Sequence, residues 1–220
     1  MLKELSHFIR HLPEVMGMKR RMRQAELYQA LMERSEAAGL GERRASLVAD
    51  LRGDVLEIGC GSGLMFRHYA RGARVTAVEP DGSFLRLARN QAAGVALVRA
   101  NGEDLPFPDG RFDAAVLAMV LCSVRSVEQV LREVRRVLKP GAPLRLIEHV
   151  RSERLVAGLL MDLANPLWRR MNGQGCNMNR RPVEALRAAG FDVAGVEPFE
   201  VFAAGVPAYP KRLIRALRRR

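Results

Sequence analysis

The residues from Asp54 to Gly63, Asp-Val-Leu-Glu-Ile-Gly-Cys-Gly-Ser-Gly, carry the strongest chemical signal in the chain. An apolar run leads into Gly59, Gly61 and Gly63 at alternate positions, with Cys60 as a small side chain among them. Glycines so placed let the backbone turn tightly and approach a ligand that any Cβ would block. A dinucleotide fingerprint needs glycine at its first, third and sixth positions. Counted from Gly59, the sixth position is Leu64. The acid ahead of the loop, Glu57, points the same way: a carboxylate suits a cationic amino-acid end and repels a pyrophosphate. A helix over residues 63–71 is expected next, with free N–H groups at its start.

A second acid, Glu79, closes the run Val-Thr-Ala-Val-Glu-Pro and is followed by Pro80. A carboxylate at the C-terminal end of a strand can accept both hydroxyls of a ribose, and open α/β sheets bind ligands at that edge. An ordinary tight turn accounts for a lone glycine loop. It does not account for alternating glycines flanked by Glu57 and Glu79.

These residues need a sheet to hold them, and the pattern supplies one. Short apolar runs at 55–58, 75–78, 95–98, 112–118 and 144–147 read as strands. Helical stretches at 82–92 and 126–138 lie between them. Alternation of this kind means βαβ units and a parallel sheet. A helix over 182–189, ended by Gly190, and a strand over 191–196 follow. Residues 211–217 read equally as a closing strand or a short basic helix. The expected fold is α/β: a Rossmann-like, seven-stranded, mostly parallel sheet with helices on both faces. The boundaries are a helical cap over 1–40 and the main domain over 41–220.

The front piece has Leu2, Leu5, Phe8, Ile9 and Leu12 at helical spacing, interrupted by Pro13. A second helix is expected from Glu14 to Ala38, stopping at Gly39. The piece is amphipathic and basic around Lys19, Arg20, Arg21 and Arg23. It suits a cap over the site or a peripheral membrane contact, with the cap preferred.

Composition narrows the partners. Net charge is +12, and residues 151–220 hold thirteen basic against six acidic side chains. Such an excess attracts phosphate-rich partners, but a solvated arginine face is the preferred reading. Aromatics are 5% of the chain, so the core should be Leu, Val and Ala. Cys60, Cys122 and Cys176 lie far apart and form no CxxC pair, so neither a disulfide framework nor a metal site is expected. No apolar run reaches the ~18 residues of a membrane span. Glu4, His7, Arg10 and His11 interrupt any secretory signal, so a cytoplasmic, reducing location is expected.

From about residue 51 to 150 the chain resembles the class I S-adenosylmethionine (SAM)-dependent methyltransferases of the ubiquinone/menaquinone-methyltransferase-like type. Besides the glycine loop, the resemblance rests on Asn101-Gly-Glu-Asp-Leu-Pro-Phe-Pro-Asp-Gly-Arg-Phe-Asp113 and Val130-Leu-Arg-Glu-Val-Arg-Arg-Val-Leu-Lys-Pro-Gly141. It implies SAM as cofactor. Asn101 would meet the adenine amino group, Gly102 would offer its N–H, and Glu103 would lie nearby. Pro80 and Met119 complete the cofactor-side set. Leu121-Cys-Ser-Val, Glu148-His-Val, Pro166-Leu-Trp168 and Gly175-Cys176 further resemble the microsomal alkyl-thiol methyltransferases, the methyltransferase-like seven group. That resemblance implies a small-molecule or lipid-like acceptor, with a thiol favoured. Phospholipid N-methylation and quinone or natural-product C- or O-methylation are the alternatives.

Methyl transfer from a sulfonium is an in-line displacement that mainly needs its partners aligned and water excluded. A base is needed where the acceptor starts protonated. His149, following the fifth strand, is the candidate base; its other reading is a packed histidine that fixes a loop. Cys122, Trp168 and Cys176 are the candidate acceptor-side residues, with Asp162 and Asn165 in the same lid segment. Base-amino methylases carry N/D-P-P-Y/F after the fourth strand, where this chain has Ala118-Met-Val-Leu-Cys. No aromatic-studded basic stripe is evident either, so nucleic acid is not favoured. A SAM-binding scaffold without turnover is the non-enzymatic alternative.

Overall fold

The computed structural model describes residues 23–172, 175–206 and 209–219. The expected helical residues Leu2 to Leu12, Pro13 and the basic Lys19, Arg20 and Arg21 lie outside them.

Seven strands form one sheet in the order β3-β2-β1-β4-β5-β7-β6. They are β1 Gly53–Ile58, β2 Ala73–Val78, β3 Ala96–Val98, β4 Ala114–Ala118, β5 Pro143–His149, β6 Phe191–Phe199 and β7 Lys211–Arg218. The first five are parallel, and β7 runs antiparallel between β5 and β6. The expected fold class therefore stands. β1 pairs with β2 on one side and β4 on the other, so the chain reverses direction across the sheet there. The carboxyl ends of strands at such a reversal are where open α/β sheets hold their ligand crevice.

The pleat divides the core. Leu56, Ile58, Ala115 and Leu117 face one layer, while Val55, Ala114 and Val116 face the other. Helix α4, Val127–Val137, buries Val130, Leu131, Val134 and Val137 against the first layer. Its N-cap is Ser126, whose side chain accepts from Gln129 N–H. Helix α6, Pro182–Ala188, adds Leu186 to that layer. Helix α3, Gly82–Arg89, is capped by Asp81 and starts just beyond β2.

The front segment differs from expectation. Helix α1 spans Gln24–Ser35, a π turn Glu36–Leu40 follows, and α2 spans Gly41–Val48. Gly39, at φ +107°, kinks the chain without ending the helical path. Two contacts hold the kink: Leu40, Leu47 and Val48 are fully buried, and Glu36 pairs with Arg44 and His68 at 3.1 Å each.

The helix expected over 63–71 is absent; the segment holds turns and one 3₁₀ turn, Phe66–His68. Leu64, Met65 and Phe66 are buried consecutively, which no single helix face permits. Tyr69 then turns extended and places its hydroxyl on Glu57.

Residues 211–217, ambiguous in sequence, form β7 because Leu213, Ile214 and Ala216 are needed in the core. Two of its three arginines are ion-paired, Arg212 with Glu153 and Arg215 with Glu197; Arg218 donates to the Leu138 carbonyl, and Arg219, just past the strand, pairs with Asp192. Half of the basic side chains of this strand are thus answered in place.

Helix α5, Leu155–Met171, carries little helical signal, since Gly158 and Pro166 interrupt it. Arg151 holds it to the end of β5 through a two-pronged contact with Asp162, at 2.8 to 3.1 Å. A Cβ at Gly158 would lie 2.2 Å from the Arg151 guanidinium, so only glycine lets that arginine cross. Leu155, Val156, Leu159, Leu163, Leu167 and Met171 face outward, Leu163 being 81% exposed. Among the described residues no helix is long and apolar enough to cross a membrane.

Leu131 lies at the centre of the first layer. Leu131→Ala is expected to cost roughly 3 kcal/mol in denaturant unfolding, through lost transfer energy plus the cavity left behind. A change below about 1 kcal/mol would show that this layer is not the packed core described.

Candidate active site

The crevice begins at the glycine loop. Gly59, Gly61 and Gly63 all have positive φ. At Gly59 a Cβ would lie 2.7 Å from Val120, and at Gly63 2.6 Å from Phe66, so those two glycines also serve packing. At Gly61 a Cβ would meet nothing within 4 Å. Its face opens on space at the carboxyl edge, beside Glu79. Cys60 is buried, and its thiol points to the Gly61 carbonyl.

Glu79 lies just past β2 and is 8% exposed. One carboxylate oxygen accepts from Gly61 N–H and the other from Asp81 N–H, both at 3.0 Å. Burial raises its pKa against these bonds. Pro80 carries the chain from Glu79 to the α3 cap, and its carbonyl accepts from Arg99. Glu57 is 2% exposed and accepts from the Tyr69 hydroxyl at 3.0 Å. Burial pushes its carboxyl up to about 8, with Tyr69 and then Arg44 pulling the other way.

Asn101 is exposed after β3, and its side-chain oxygen accepts from Glu103 N–H. Gly102 is buried, with the Ile58 methyl 3.0 Å from any added Cβ. The Glu103 carboxylate turns away to accept from Ser126 N–H at 2.8 Å, tying this loop to α4. Met119 has φ +61° and is the one non-glycine residue with positive φ among those described. Its N–H reaches the Ile147 carbonyl at 2.6 Å. Strain of this kind persists where the surroundings over-determine it, often at functional sites.

These groups test the implied cofactor. Two buried carboxylates fit a ligand with a cationic end and a ribose. They do not fit a pyrophosphate, and no regular α-helix follows the loop to receive one. The open face of Gly61 gives such a nucleoside room for close approach. SAM fits this donor set.

Beyond Met119 lies a second group of side chains. The ligand atoms of Cys122, His149 and Cys176 lie within 4.8 Å of one another. Cys176 Sγ is 3.6 Å from His149 Nδ1. The Cys122 thiol reaches the Met119 carbonyl and the Ser123 hydroxyl at 3.5 Å each. The neighbouring Cys176 thiol, with burial, raises Cys122 well above its ordinary value, and the neighbouring Cys122 thiol lowers Cys176. His149 ends β5, and its ring meets Tyr209 edge-on at 5.6 Å; Trp168 meets the other side of Tyr209 at 5.3 Å. Trp168, Cys176 and His149 thus line one region with Cys122. Asp162 does not join them, because it is held by Arg151 and Asn179. Asn165 donates to Asn177.

Several residues here carry no legible sequence signal. Asn177 is buried and binds the Cys122 carbonyl twice, from its N–H at 2.7 Å and its side chain at 2.9 Å. Asn172 accepts from Cys176 N–H and donates to the Cys176 and Trp168 carbonyls. Fully buried Glu148 accepts from Val120 and Leu121 N–H, pinning the turn after β4 to β5. Tyr28 on α1 packs edge-on against Phe84 and against the cluster that holds Met119 and Cys122, and burial raises its hydroxyl. Lys211, the register partner of His149, is buried, and burial lowers its pKa to about 8. Scattered cysteine positions could not announce this group; only the crossing of β4, β5 and the α5–α6 connection brings it together.

Comparison with known proteins follows the same division. The family profile described as "Methyltransferase domain" matches residues 56–146. Thiol S-methyltransferase TMT1A of Homo sapiens is 37% identical over 145 residues, 62% of this chain and 59% of that protein. Thiol S-methyltransferase TMT1B of Rattus norvegicus is 35% identical over 165 residues, 69% of this chain and 67% of that protein. The chain therefore spans just under three fifths of the first relative and about two thirds of the second. Among solved structures, the [4+2]-cyclase SpnF superposes with a TM-score of 0.67 at 21% identity, covering 83% of this chain and 81% of that one. That likeness concerns fold alone.

The raised pKa of Glu57 has a thermodynamic sign. The folded state binds this proton more tightly than the unfolded chain, whose carboxyl titrates near the ordinary 4.5. The Glu57 contribution is therefore fully present below about pH 4.5 and is lost as pH rises towards about 8. The melting temperature of ligand-free protein should fall between about pH 5 and 8, and Glu57→Gln should flatten that fall. Equal slopes in both proteins would contradict the buried, protonated carboxyl.

Proposed function

Since this chain belongs to the class I SAM-dependent methyltransferase family, we propose that it transfers a methyl group to a small-molecule or lipid-like acceptor, a thiol being favoured. The observation that carries this reading is the adjacency of two sites at one sheet edge. The carboxylate-lined glycine loop lies on one side of Met119 and the sulfur–imidazole group on the other.

The cofactor supplies an activated methyl group on a sulfonium. Glu79 holds the ribose, with the open face of Gly61 against the nucleoside, and Glu57 receives the amino end in its charged form. Asn101 and Gly102 flank the adenine. Met119 sets the boundary between cofactor and acceptor. Cys122, Cys176 and Trp168 line the acceptor side, and His149 is the group there suited to take a proton from a thiol or phenol. Aligning these parts and excluding water is most of the catalytic task.

The stretch 1–40 serves as the cap in this reading, because Tyr28 packs on Phe84 and on the cluster that holds Met119 and Cys122. The outward leucine face of α5, with Arg154, Arg169 and Arg170 at its ends, supports an apolar acceptor and a peripheral membrane contact. Similarity to the two thiol S-methyltransferases supports sulfur as the methylated atom. The ion pairs of Arg212, Arg215 and Arg219 weigh against nucleic acid.

Glu79→Ala removes charge-assisted hydrogen bonds and should weaken SAM binding by roughly ten- to a hundredfold in calorimetry. Gly61→Val adds a side chain at φ +56° on the open face and should abolish it. Unchanged affinity in both variants would refute the cofactor assignment.

The acceptor is tested with labelled SAM against alkyl thiols, quinols, phenols, phospholipids and RNA. Turnover on thiols, reduced more than SAM affinity by Tyr28→Ala, is the expected result. Turnover on RNA alone, or on none of them, would overturn the reading.

A further inference from the structure

Cys122, His149 and Cys176 come from three separate elements: the turn after β4, the end of β5, and the connection between α5 and α6. Two soft thiols and an imidazole are the donor types that select zinc among common divalent ions. Bond lengths of about 2.3 Å to sulfur and 2.0 Å to nitrogen, at tetrahedral angles, put S and N about 3.5 Å apart. The Cys176 Sγ to His149 Nδ1 distance is 3.6 Å. The third donor, Cys122 Sγ, lies within 4.8 Å of both.

The surroundings fix the donors from behind. Asn177 holds the Cys122 carbonyl by two hydrogen bonds and also reaches the Gly175 carbonyl, so it locks one cysteine segment to the other. Asn172 brackets Cys176 through both its N–H and its carbonyl. Asn165 orients Asn177 and accepts from Met178 N–H. Tyr209 packs against the His149 ring and restrains it. Outer partners of this kind are what hold metal ligands in place. A three-residue set also leaves one tetrahedral position open, as catalytic rather than structural zinc sites do.

We propose that Cys122, His149 and Cys176 bind a zinc ion through three side chains and leave its fourth position to the sulfur of the acceptor. The inference rests on the acceptor side argued above and makes His149 a ligand instead of a base. An acceptor thiol gives up its proton to solvent as its sulfur takes the open position. The thiolate lone pair then forms the new bond to the methyl carbon. The sulfonium carbon–sulfur bond breaks, and its electron pair stays on the cofactor sulfur. The products are a methyl thioether and neutral S-adenosylhomocysteine. The thioether is a poorer zinc ligand than the thiolate and leaves.

The test uses the full chain, prepared with reductant and zinc, dialysed, and analysed for metal by mass spectrometry. One zinc per chain is expected, falling at least tenfold in Cys176→Ser and His149→Ala. SAM affinity by calorimetry should stay within about twofold in both variants, which shows that they fold. Cobalt(II) in place of zinc should give a thiolate-to-metal charge-transfer band that shifts when propanethiol is added. Reduced protein without stoichiometric metal, or variants that keep it, would overturn the site. A cobalt band indifferent to propanethiol would overturn the acceptor role. Thiol methylation at an unchanged rate by chelator-stripped protein would overturn this inference and leave the proposed function standing. Bound zinc without any SAM-dependent methylation would leave the metal site standing and overturn the proposed function together with the acceptor role.

Discussion

Burying a carboxylate is costly unless something answers its charge, and besides Glu148 this fold buries two beside the glycine loop at the carboxyl edge of one sheet. Glu57 has a tyrosine hydroxyl and a distant arginine for company, so its proton is held up to about 8. Glu79 has two backbone N–H groups and is still raised. No strong neighbour in the described residues makes either a structural salt bridge. A cationic ligand is the natural partner for such groups, since its arrival supplies the missing counter-charge. The glycine loop, the kinked front segment and the absent helix after Gly63 all follow from building around this pair. Glu36, Arg44 and His68 brace the floor, and Tyr69 leaves the 3₁₀ turn to reach Glu57.

The second half of the site is organised by amides where the first is organised by acids. Asn165, Asn172 and Asn177 tie the connection after α5 to the turn after β4. That turn is itself held by Glu148 and strained at Met119. The result sets two thiols and an imidazole just beyond the strained residue. In the function proposed here, cofactor and acceptor would meet at this backbone corner, whose rigidity is what alignment of an in-line displacement requires.

The parallel sheet, the glycine loop and the acid after β2 were legible in sequence because each is a local pattern. Glu57 and Glu79 stand at fixed offsets from their strands, and α4 shows its apolar stripe plainly. What was not legible arises from tertiary contact. Three consecutive buried residues, Leu64, Met65 and Phe66, replaced a helix with turns. A π turn at Gly39 replaced a helix end. Helix α5 was hidden by Gly158 and Pro166, which Arg151 and its own ion pair make tolerable. The grouping of Cys122 with His149 and Cys176 depends on which strands become neighbours, and spacing alone carries no record of that. Asn172 and Asn177 read as ordinary loop residues until their partners are known.

The most direct test of the central claim is a crystal structure of the chain grown with S-adenosylhomocysteine. The account requires the ribose hydroxyls on Glu79, the peptide at Gly61 close against the nucleoside, and the amino group beside Glu57. A crevice left empty at saturating ligand, or a nucleoside bound away from both carboxylates, would contradict it.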